Sequence, residues 1–244
     1  LFLSDEEGNI HVIDEKGTQS LWETDFSAAL RSPPSFLKVE NRSYAAVYPK
    51  RFLGGIWLLD AGGGALPNWP APVDGIAFGS PLLFTSGNSR EKKETLLAAF
   101  ITQAGKLSVY NENAEMLPGF PLELPGVFYL QPVWDGEMFW LVSSEGLLCQ
   151  VTLEGRMLSQ NVPDVSVKEE GYITTVDIDG DKIPEIFFSG EGNALYGYTR
   201  GFSSLDGFPL PVWGRPSFLD LNGNGKNECT GTGLDNRLYR WHFR

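Results

Sequence analysis

Two stretches of the sequence place oxygen-bearing side chains at alternate positions around a glycine. One reads DIDGDKIPE, at residues 177–185, and the other reads DLNGNGKNE, at residues 220–228. Such a pattern suits a hard cation, because Ca²⁺ binds roughly six to eight oxygen atoms from carboxylates, amides and backbone carbonyls in a flexible geometry. Neither stretch contains His or Cys, which argues against zinc. The chemistry that these residues predict is calcium binding.

The predicted calcium ligands stand at the first, third, fifth, seventh and ninth positions of each loop. They are Asp177, Asp179, Asp181, the backbone carbonyl of Ile183 and Glu185 in the first loop, and Asp220, Asn222, Asn224, Lys226 and Glu228 in the second. Carboxylates that share a site repel one another, so a cation would hold such a turn together. Because the first loop offers four carboxylates and the second offers two, we expect the second loop to bind more weakly. The alternative interpretation is that Asp, Asn and Gly only favour solvent-exposed turns.

The strands that must hold these loops recur along the chain. Six segments with a small or amide residue just before an alternating apolar strand share one pattern: NIHVID, GIWLLD, KLSVYN, LLCQVT, ALYGYT and RLYRWH. Their first anchoring apolar residues, 41 to 51 residues apart, are Ile10, Ile56, Leu107, Leu148, Leu195 and Leu238. A period of this size is typical of one β-propeller blade.

A second marker supports the same period. An aromatic residue precedes proline in PNWP, PGFP and DGFP, and each aromatic follows its strand anchor by 13 residues: Trp69, Phe120 and Phe208. Proline also opens an apolar strand in PPSFLKV, SPLLFTS, QPVWDGE and RPSFLDL, a place where it costs no ladder hydrogen bond. Aligned on these markers, each repeat reads as four short strands.

The sequence therefore predicts an all-β fold, a β-propeller of four-stranded blades. We expect about six blades, with five, seven or eight as alternatives, and four complete units between residues 32 and 210. Residues 1–244 are expected to form a single propeller domain, either whole or as a piece of a longer exported protein. In the three earlier repeats the corresponding turns lie in LKVENRSY, FTSGNSREKKETLL and PVWDGEMF, and none of these is expected to bind calcium well.

Composition excludes several classes of function. The formal charge of −12, from 31 acidic and 19 basic residues, disfavours binding to nucleic acid or to an anionic membrane. No apolar run approaches the ~20 residues of a transmembrane helix, and no signal-peptide pattern is present. The two cysteines, Cys149 and Cys229, and the two histidines, His11 and His242, lack the spacing of a metal or catalytic site, so we expect all four to be structural.

The loop motif together with its neighbours resembles a known family. Repeats with DxDGDxxPE between two strands, a following GxLYxY-like strand and then GFP look like the FG-GAP or VCBS-type calcium-loop β-propellers, which are distantly similar to the propeller of integrin α-subunits. The resemblance spans nearly the whole chain, although the turns of the earlier repeats depart from the motif. It implies a secreted, periplasmic or cell-surface protein that binds protein or glycan and carries structural calcium.

Two functions remain open from the sequence. The first is a non-catalytic extracytoplasmic scaffold for protein or glycan binding, with no catalytic residues. The second is an extracellular carbohydrate-active enzyme, similar to a polysaccharide lyase, built on a propeller. No nucleophile, zinc-protease or nucleotide-binding motif is present. A lyase would need a deep, positively charged cleft with a base among Lys, Arg, His or Tyr, whereas a scaffold would not.

Overall fold

A computed structural model describes residues 2–13, 16, 20–50, 55–88, 93–162 and 165–243. These residues form antiparallel strands joined by tight turns, and the helical structure among them is one 3-10 turn, Glu191–Asn193. Within these ranges no helix is long and apolar enough to span a membrane. The chain divides into two compact units, Leu1–Pro125 and Gly126–Arg244. The predicted all-β character is confirmed.

The first unit contains three antiparallel sheets. The first sheet consists of β1 (Phe2–Ser4), β2 (Asn9–Ile13) and β3 (Ser20–Asp25). The second consists of β4 (Ser35–Val39), β5 (Arg42–Val47) and β6 (Trp57–Leu59). The third has the order β10-β9-β8-β7 and consists of β7 (Leu82–Asn88), β8 (Lys93–Ile101), β9 (Lys106–Asn111) and β10 (Leu122–Glu123).

The second unit also contains three antiparallel sheets. Its first sheet consists of β11 (Val133–Trp134), β12 (Met138–Val142), β13 (Leu147–Thr152) and β14 (Met157–Asn161). The next consists of β15 (Ile173–Val176), β16 (Glu185–Gly190), β17 (Ala194–Tyr198) and β18 (Leu210–Pro211). The last consists of β19 (Trp213–Leu219), β20 (Glu228–Thr232) and β21 (Leu238–Trp241). Each sheet is a simple meander of sequential strands.

The predicted strand anchors occupy corresponding places in the sheets. Leu107, Leu148 and Leu195 each lie on the third strand, where they are at most 1% exposed. Leu238 holds the same place on β21 but is 81% exposed. The difference follows from the neighbouring strand, because Leu195 pairs across to Leu210 on β18 whereas β21 is an edge strand among the described residues.

The strand count departs from the prediction in one repeat. Three of the predicted complete units have four strands, but the second sheet has three, β4 to β6. In place of its fourth strand, Ile56 and Ala71 form an isolated antiparallel bridge within the described residues. The aromatic–proline marker of this repeat lies between the two bridge residues, and the bonds Trp69–Pro70, Phe120–Pro121 and Phe208–Pro209 are all cis.

Candidate metal centre

The first acidic loop joins β15 to β16, and its backbone is organised by its own side chains. The Asp177 carboxylate accepts hydrogen bonds from the backbone N–H of Gly180 at 2.7 Å and of Lys182 at 2.8 Å. Gly180 and Lys182 both have left-handed backbone angles, with φ of 83° and 71°. The carboxylate at the first position therefore holds the chain in a turn that β-sheet residues do not adopt on their own.

Three carboxylates of this loop lie close enough to bind one ion. Each of Asp177, Asp179 and Glu185 offers an oxygen atom within 4.8 Å of the other two. Glu185 begins β16 and is 6% exposed, Asp177 is half-buried, and Asp179 is exposed. A cation placed among them would have one side sheltered by the sheet and the other open to solvent, an arrangement that fits Ca²⁺ with water completing its shell.

The Glu185 carboxylate is the least compensated charge in the loop. Its Oε2 accepts a hydrogen bond from the backbone N–H of Ile178 at 3.0 Å. Burial, followed by the neighbouring carboxylates of Asp179 and Asp181, raises the pKa of Glu185 above its usual value, against that hydrogen bond. Among the described residues no Lys, Arg or His forms an ion pair with it. A bound cation would supply the missing positive charge.

Asp181 is a predicted ligand of the first loop that lies outside this cluster of three carboxylates, and the cluster does not include backbone carbonyls such as that of Ile183. Asp181 is exposed, and its Oδ1 accepts a hydrogen bond from the backbone N–H of Ile183 at 2.7 Å. The Ile183 side chain is likewise exposed. The structure thus brings together the first, third and ninth positions, while Asp181 shapes the turn.

A cavity of about 530 Å³ opens beside the first loop. Asp179 and Glu185 line it together with Asp206, His242 and Phe243. Asp206 was not among the predicted ligands, although the sequence contains a signal for it: the DGFP marker carries an acid where the other two markers, PNWP and PGFP, carry proline. The cavity gives a solvated ion access to the carboxylates.

The second acidic loop, between β19 and β20, repeats the same backbone arrangement. The Asp220 carboxylate accepts hydrogen bonds from the backbone N–H of Gly223 at 2.7 Å and of Gly225 at 2.8 Å. The N–H of Gly225 is the strongest of several backbone donors that lower the pKa of Asp220. Gly223 and Gly225 have φ of 75° and 82°, so they match Gly180 and Lys182 of the first loop. The sequence echo is a structural repeat.

The second loop differs from the first in the partners of its ninth residue. Glu228 is 3% exposed, and its Oε2 accepts a hydrogen bond from the backbone N–H of Leu221 at 2.8 Å. Its Oε1 lies 3.1 Å from Nη2 of Arg240 and 3.4 Å from Nδ1 of His242, and it also accepts a hydrogen bond from the Asn222 side-chain amide. The Leu221 N–H is the largest influence that lowers the pKa of Glu228, and Arg240 and His242 act in the same direction.

Two other predicted ligands of the second loop, Asn222 and Asn224, accept hydrogen bonds from the backbone of the loop itself. Asn222 Oδ1 accepts from the N–H of Asn224 at 3.0 Å, and Asn224 Oδ1 accepts from the N–H of Lys226 at 2.8 Å. All these residues except Glu228 are exposed. The second loop therefore has the shape of the first without its cluster of carboxylates.

The two loops are joined directly to each other. The Asn227 side-chain amide donates a hydrogen bond to the backbone carbonyl of Asp177 at 2.7 Å, and the Asn227 N–H donates to the carbonyl of Ile178 at 3.2 Å. A methyl group added at Gly180 would come within 2.9 Å of the Gly225 carbonyl oxygen. The second loop thus forms one wall of the first.

The residues that we expected to be structural lie in strands or just beyond them. Cys149 and Cys229 are fully buried free thiols, and burial raises the pKa of each to about 12. His11 lies on β2, with Nδ1 3.4 Å from Glu23 Oε1. His242 follows β21 and lies closer to the candidate metal centre than we expected, because it contacts Glu228 and lines the cavity beside the first loop.

Comparison with known proteins identifies the fold. No family model matches the sequence, and no curated protein matches it. BamB from Moraxella catarrhalis superposes with a TM-score of 0.65 at 15% identity, over 99% of this chain and 66% of that one. BBS1N, solved in complex with ARL6DN, gives 0.69 at 10% identity, over 100% and 74%. The computationally designed Ika8 protein gives 0.51 at 12% identity, over 99% and 80%.

These similarities settle the architecture. BamB and BBS1N are β-propellers, so this chain has the β-propeller fold, and the six sheets formed by its described residues agree with about six blades. The chain spans about two thirds of the length of the BamB chain that it matches.

Proposed function

We propose that the protein is a non-catalytic propeller scaffold whose first acidic loop binds structural Ca²⁺. The observation that carries the calcium assignment is the triad of Asp177, Asp179 and Glu185, in which the buried Glu185 has no cationic partner in the described structure. Hard oxygen ligands and a solvent-open side favour Ca²⁺ over transition metals. The ion would tie the end of β15 to the start of β16.

The arrangement of basic residues supports a non-catalytic role. One cavity, about 520 Å³ in volume, is lined by potential lyase groups, among them Lys168, Tyr172 and Arg215. Burial raises the pKa of Tyr172 strongly, which disfavours the phenolate that a proton-abstracting base requires. Lys168 pairs with Glu191 at 3.0 Å, and this hydrogen bond raises its pKa as well. Neither group is tuned toward neutral pH as a base.

The last sheet offers the surface on which a partner would bind. Six exposed large apolar side chains belong to residues 213–239: Trp213, Leu219, Leu221, Leu234, Leu238 and Tyr239. Exposed apolar side chains that lie together on one patch are typical of protein interaction sites, and we infer that this part of the chain contributes to one. One of the similar structures, BBS1N, was solved in complex with ARL6DN, so a protein of this fold can bind another protein. We infer a protein partner in preference to the glycan that the sequence leaves open.

We further propose that the protein works outside the cytoplasm, as a single propeller of the FG-GAP or VCBS type. The first loop offers three clustered carboxylates, fewer than a tight calcium site uses, and extracellular modules bind Ca²⁺ with dissociation constants of roughly 10⁻⁴ to 10⁻³ M. A site of that strength fills where calcium is abundant.

Calorimetric titration of EGTA-stripped protein tests the calcium assignment. We expect one bound Ca²⁺ per chain, lost in the Glu185→Gln variant and unaffected by Glu137→Gln, which removes an exposed acid distant in sequence from the loop. A protein and glycan binding screen, run with calcium and with EGTA, tests the scaffold role. Turnover of a polyuronide substrate by the purified protein would instead support the lyase alternative.

A further inference from the structure

Glu185 and Glu228 are equivalent in the two loop-bearing sheets, but the residues across from them differ. Phe187 on β16 pairs with Gly197 on β17, and Thr230 on β20 pairs with Arg240 on β21. Since each of these first-named residues lies two positions after its glutamate, Gly197 in one sheet stands where Arg240 stands in the other. By the same alignment, Thr199 stands where His242 stands. The sheet of the first loop, β15 to β18, therefore has no cationic side chain at either place.

Arg240 supplies a positive charge to the buried glutamate of the second loop. Its Nη2 is 3.1 Å from Glu228 Oε1, whereas Oε2 of Glu228, like Oε2 of Glu185, accepts a backbone hydrogen bond. A guanidinium is always charged and presents several donors in a fixed plane, so it neutralises a buried carboxylate without outside help. Together with the Leu221 N–H and the Asn222 amide, it leaves neither oxygen of Glu228 without a donor.

The sheet of the first loop, β15 to β18, has little space for an arginine at the corresponding position. A Cβ atom at Gly197 would lie 2.9 Å from both Leu205 Cδ1 and Phe187 Cε1, closer than real Cβ atoms approach. It would also come within 3.0 Å of Phe208 Cδ1. The aromatic–proline segment and Phe187 thus pack closely against Gly197, so a side chain at this position would require these neighbours to shift, and the first loop has no arginine at this place to balance its carboxylates.

We propose that Arg240 replaces calcium in the second loop, so that one hairpin is held by an internal cation and the other by an external one. The choice of Gly197 or Arg240 at the same strand position decides which loop depends on the ion. This inference rests on the proposed calcium site in the first loop. For the second loop it replaces the expectation of weak calcium binding with a more specific one: the loop binds calcium only when Arg240 is removed.

The test introduces Arg240→Gln into the Glu185→Gln background, where the first site is disabled. We expect Glu185→Gln alone to show no calcium-dependent rise in melting temperature, and the double variant to show one, with an apparent dissociation constant of roughly 10⁻³ M or weaker. Arg237→Gln in the same background is the matched control. The Arg237 side chain is 81% exposed and pairs with Asp235 at 3.6 Å, and among the described residues it forms no ion pair with Glu228. This control variant should remain unresponsive.

A second measurement decides the matter without calcium. In EGTA, a double-mutant cycle with Glu228→Gln and Arg240→Gln should give a coupling of at least severalfold in the unfolding equilibrium constant. If the double variant with Glu185→Gln does not fold, Glu185→Gln alone together with this cycle still decides the proposal. A calcium response in Glu185→Gln that Asp220→Asn abolishes, or a cycle with no coupling, would overturn it. Absence of any calcium effect in the wild-type protein, with coupling intact, would refute the first-loop site and leave the role of Arg240 standing.

Discussion

Glu185 and Glu228 begin the second strands of consecutive sheets and both are buried, yet in the part of the chain that the structure describes only Glu228 has a cationic side chain at its carboxylate. Removing the two charges should therefore have opposite effects in EGTA at pH 7. Glu185→Gln keeps the acceptor for the Ile178 N–H while it relieves repulsion from Asp179 and Asp181, so we expect a higher melting temperature. The expected rise is a few degrees, because ~1 kcal/mol moves the midpoint by roughly 2–4 °C in a chain of this size.

Glu228→Gln should lower the melting temperature under the same conditions, since it leaves the Arg240 guanidinium without its carboxylate. Differential scanning calorimetry of both variants beside the wild type provides the comparison. Equal shifts in the same direction would show that the two loops have the same electrostatics.

Calcium should stabilise the wild-type protein through the first loop. A ligand that binds only the folded state adds about 2.7 kcal/mol at a hundredfold excess over its dissociation constant. Asp179→Ala should remove most of the resulting rise in melting temperature because Asp179 belongs to the carboxylate triad. Asn222→Ala, at the same position of the second loop, should leave most of it in place. An identical loss in both variants would contradict the difference between the loops.

Asn227 should couple the two loops. Its amide supports the Asp177 carbonyl at 2.7 Å, so Asn227→Ala should weaken calcium binding at the first loop severalfold, although Asn227 contributes no atom to the triad. Isothermal titration of Ca²⁺ into metal-free variant and wild type measures this change. The control is Asn161→Ala, which alters an exposed residue at the end of β14.

Equivalent leucines should differ greatly in their contribution to stability. Leu195 is 1% exposed and Leu238 is 81% exposed at the same place on the third strand. Leu195→Ala should cost roughly 2–5 kcal/mol, the usual penalty for a cavity at a buried leucine. Leu238→Ala should change the free energy of unfolding by less than about 0.5 kcal/mol, as exposed substitutions do. Urea titration monitored by tryptophan fluorescence measures both.

The thiols should be inert in the native protein. Burial raises the pKa of Cys149 and of Cys229 to about 12, so almost no thiolate exists at pH 8. Iodoacetamide at that pH should leave both unmodified by mass spectrometry over hours and modify both once guanidinium chloride unfolds the chain. Rapid labelling of either cysteine in the folded protein would contradict the buried positions.

Local sequence patterns were enough to predict most of the fold and part of the candidate site. Alternating apolar residues and a fixed spacing to the aromatic–proline step were enough to predict the strands, because both depend only on neighbours in sequence. The second sheet has three strands within the described residues, and the single bridge of Ile56 with Ala71 stands in place of the fourth, a difference that the repeat pattern does not encode.

The partners of the two loops could not be read from the sequence. Arg240 lies 12 residues after Glu228 and reaches it only through the pairing of β20 with β21, so no motif links them. Asp206 likewise lies outside the first loop in the sequence, and tertiary packing brings it to the cavity beside that loop. The oxygen-bearing positions were visible in the sequence, but the charges that balance them depend on tertiary structure.

The exposed Lys182 gives the first loop a further property. It occupies a left-handed position where the second loop has Gly225, and its N–H is held by the Asp177 carboxylate. In calcium-poor surroundings, mutual repulsion of the carboxylates would loosen this turn and present the Lys182–Ile183 bond to trypsin-like proteases, which cut extended, accessible chains. Calcium bound at the proposed site would hold the turn closed and slow cleavage at this bond.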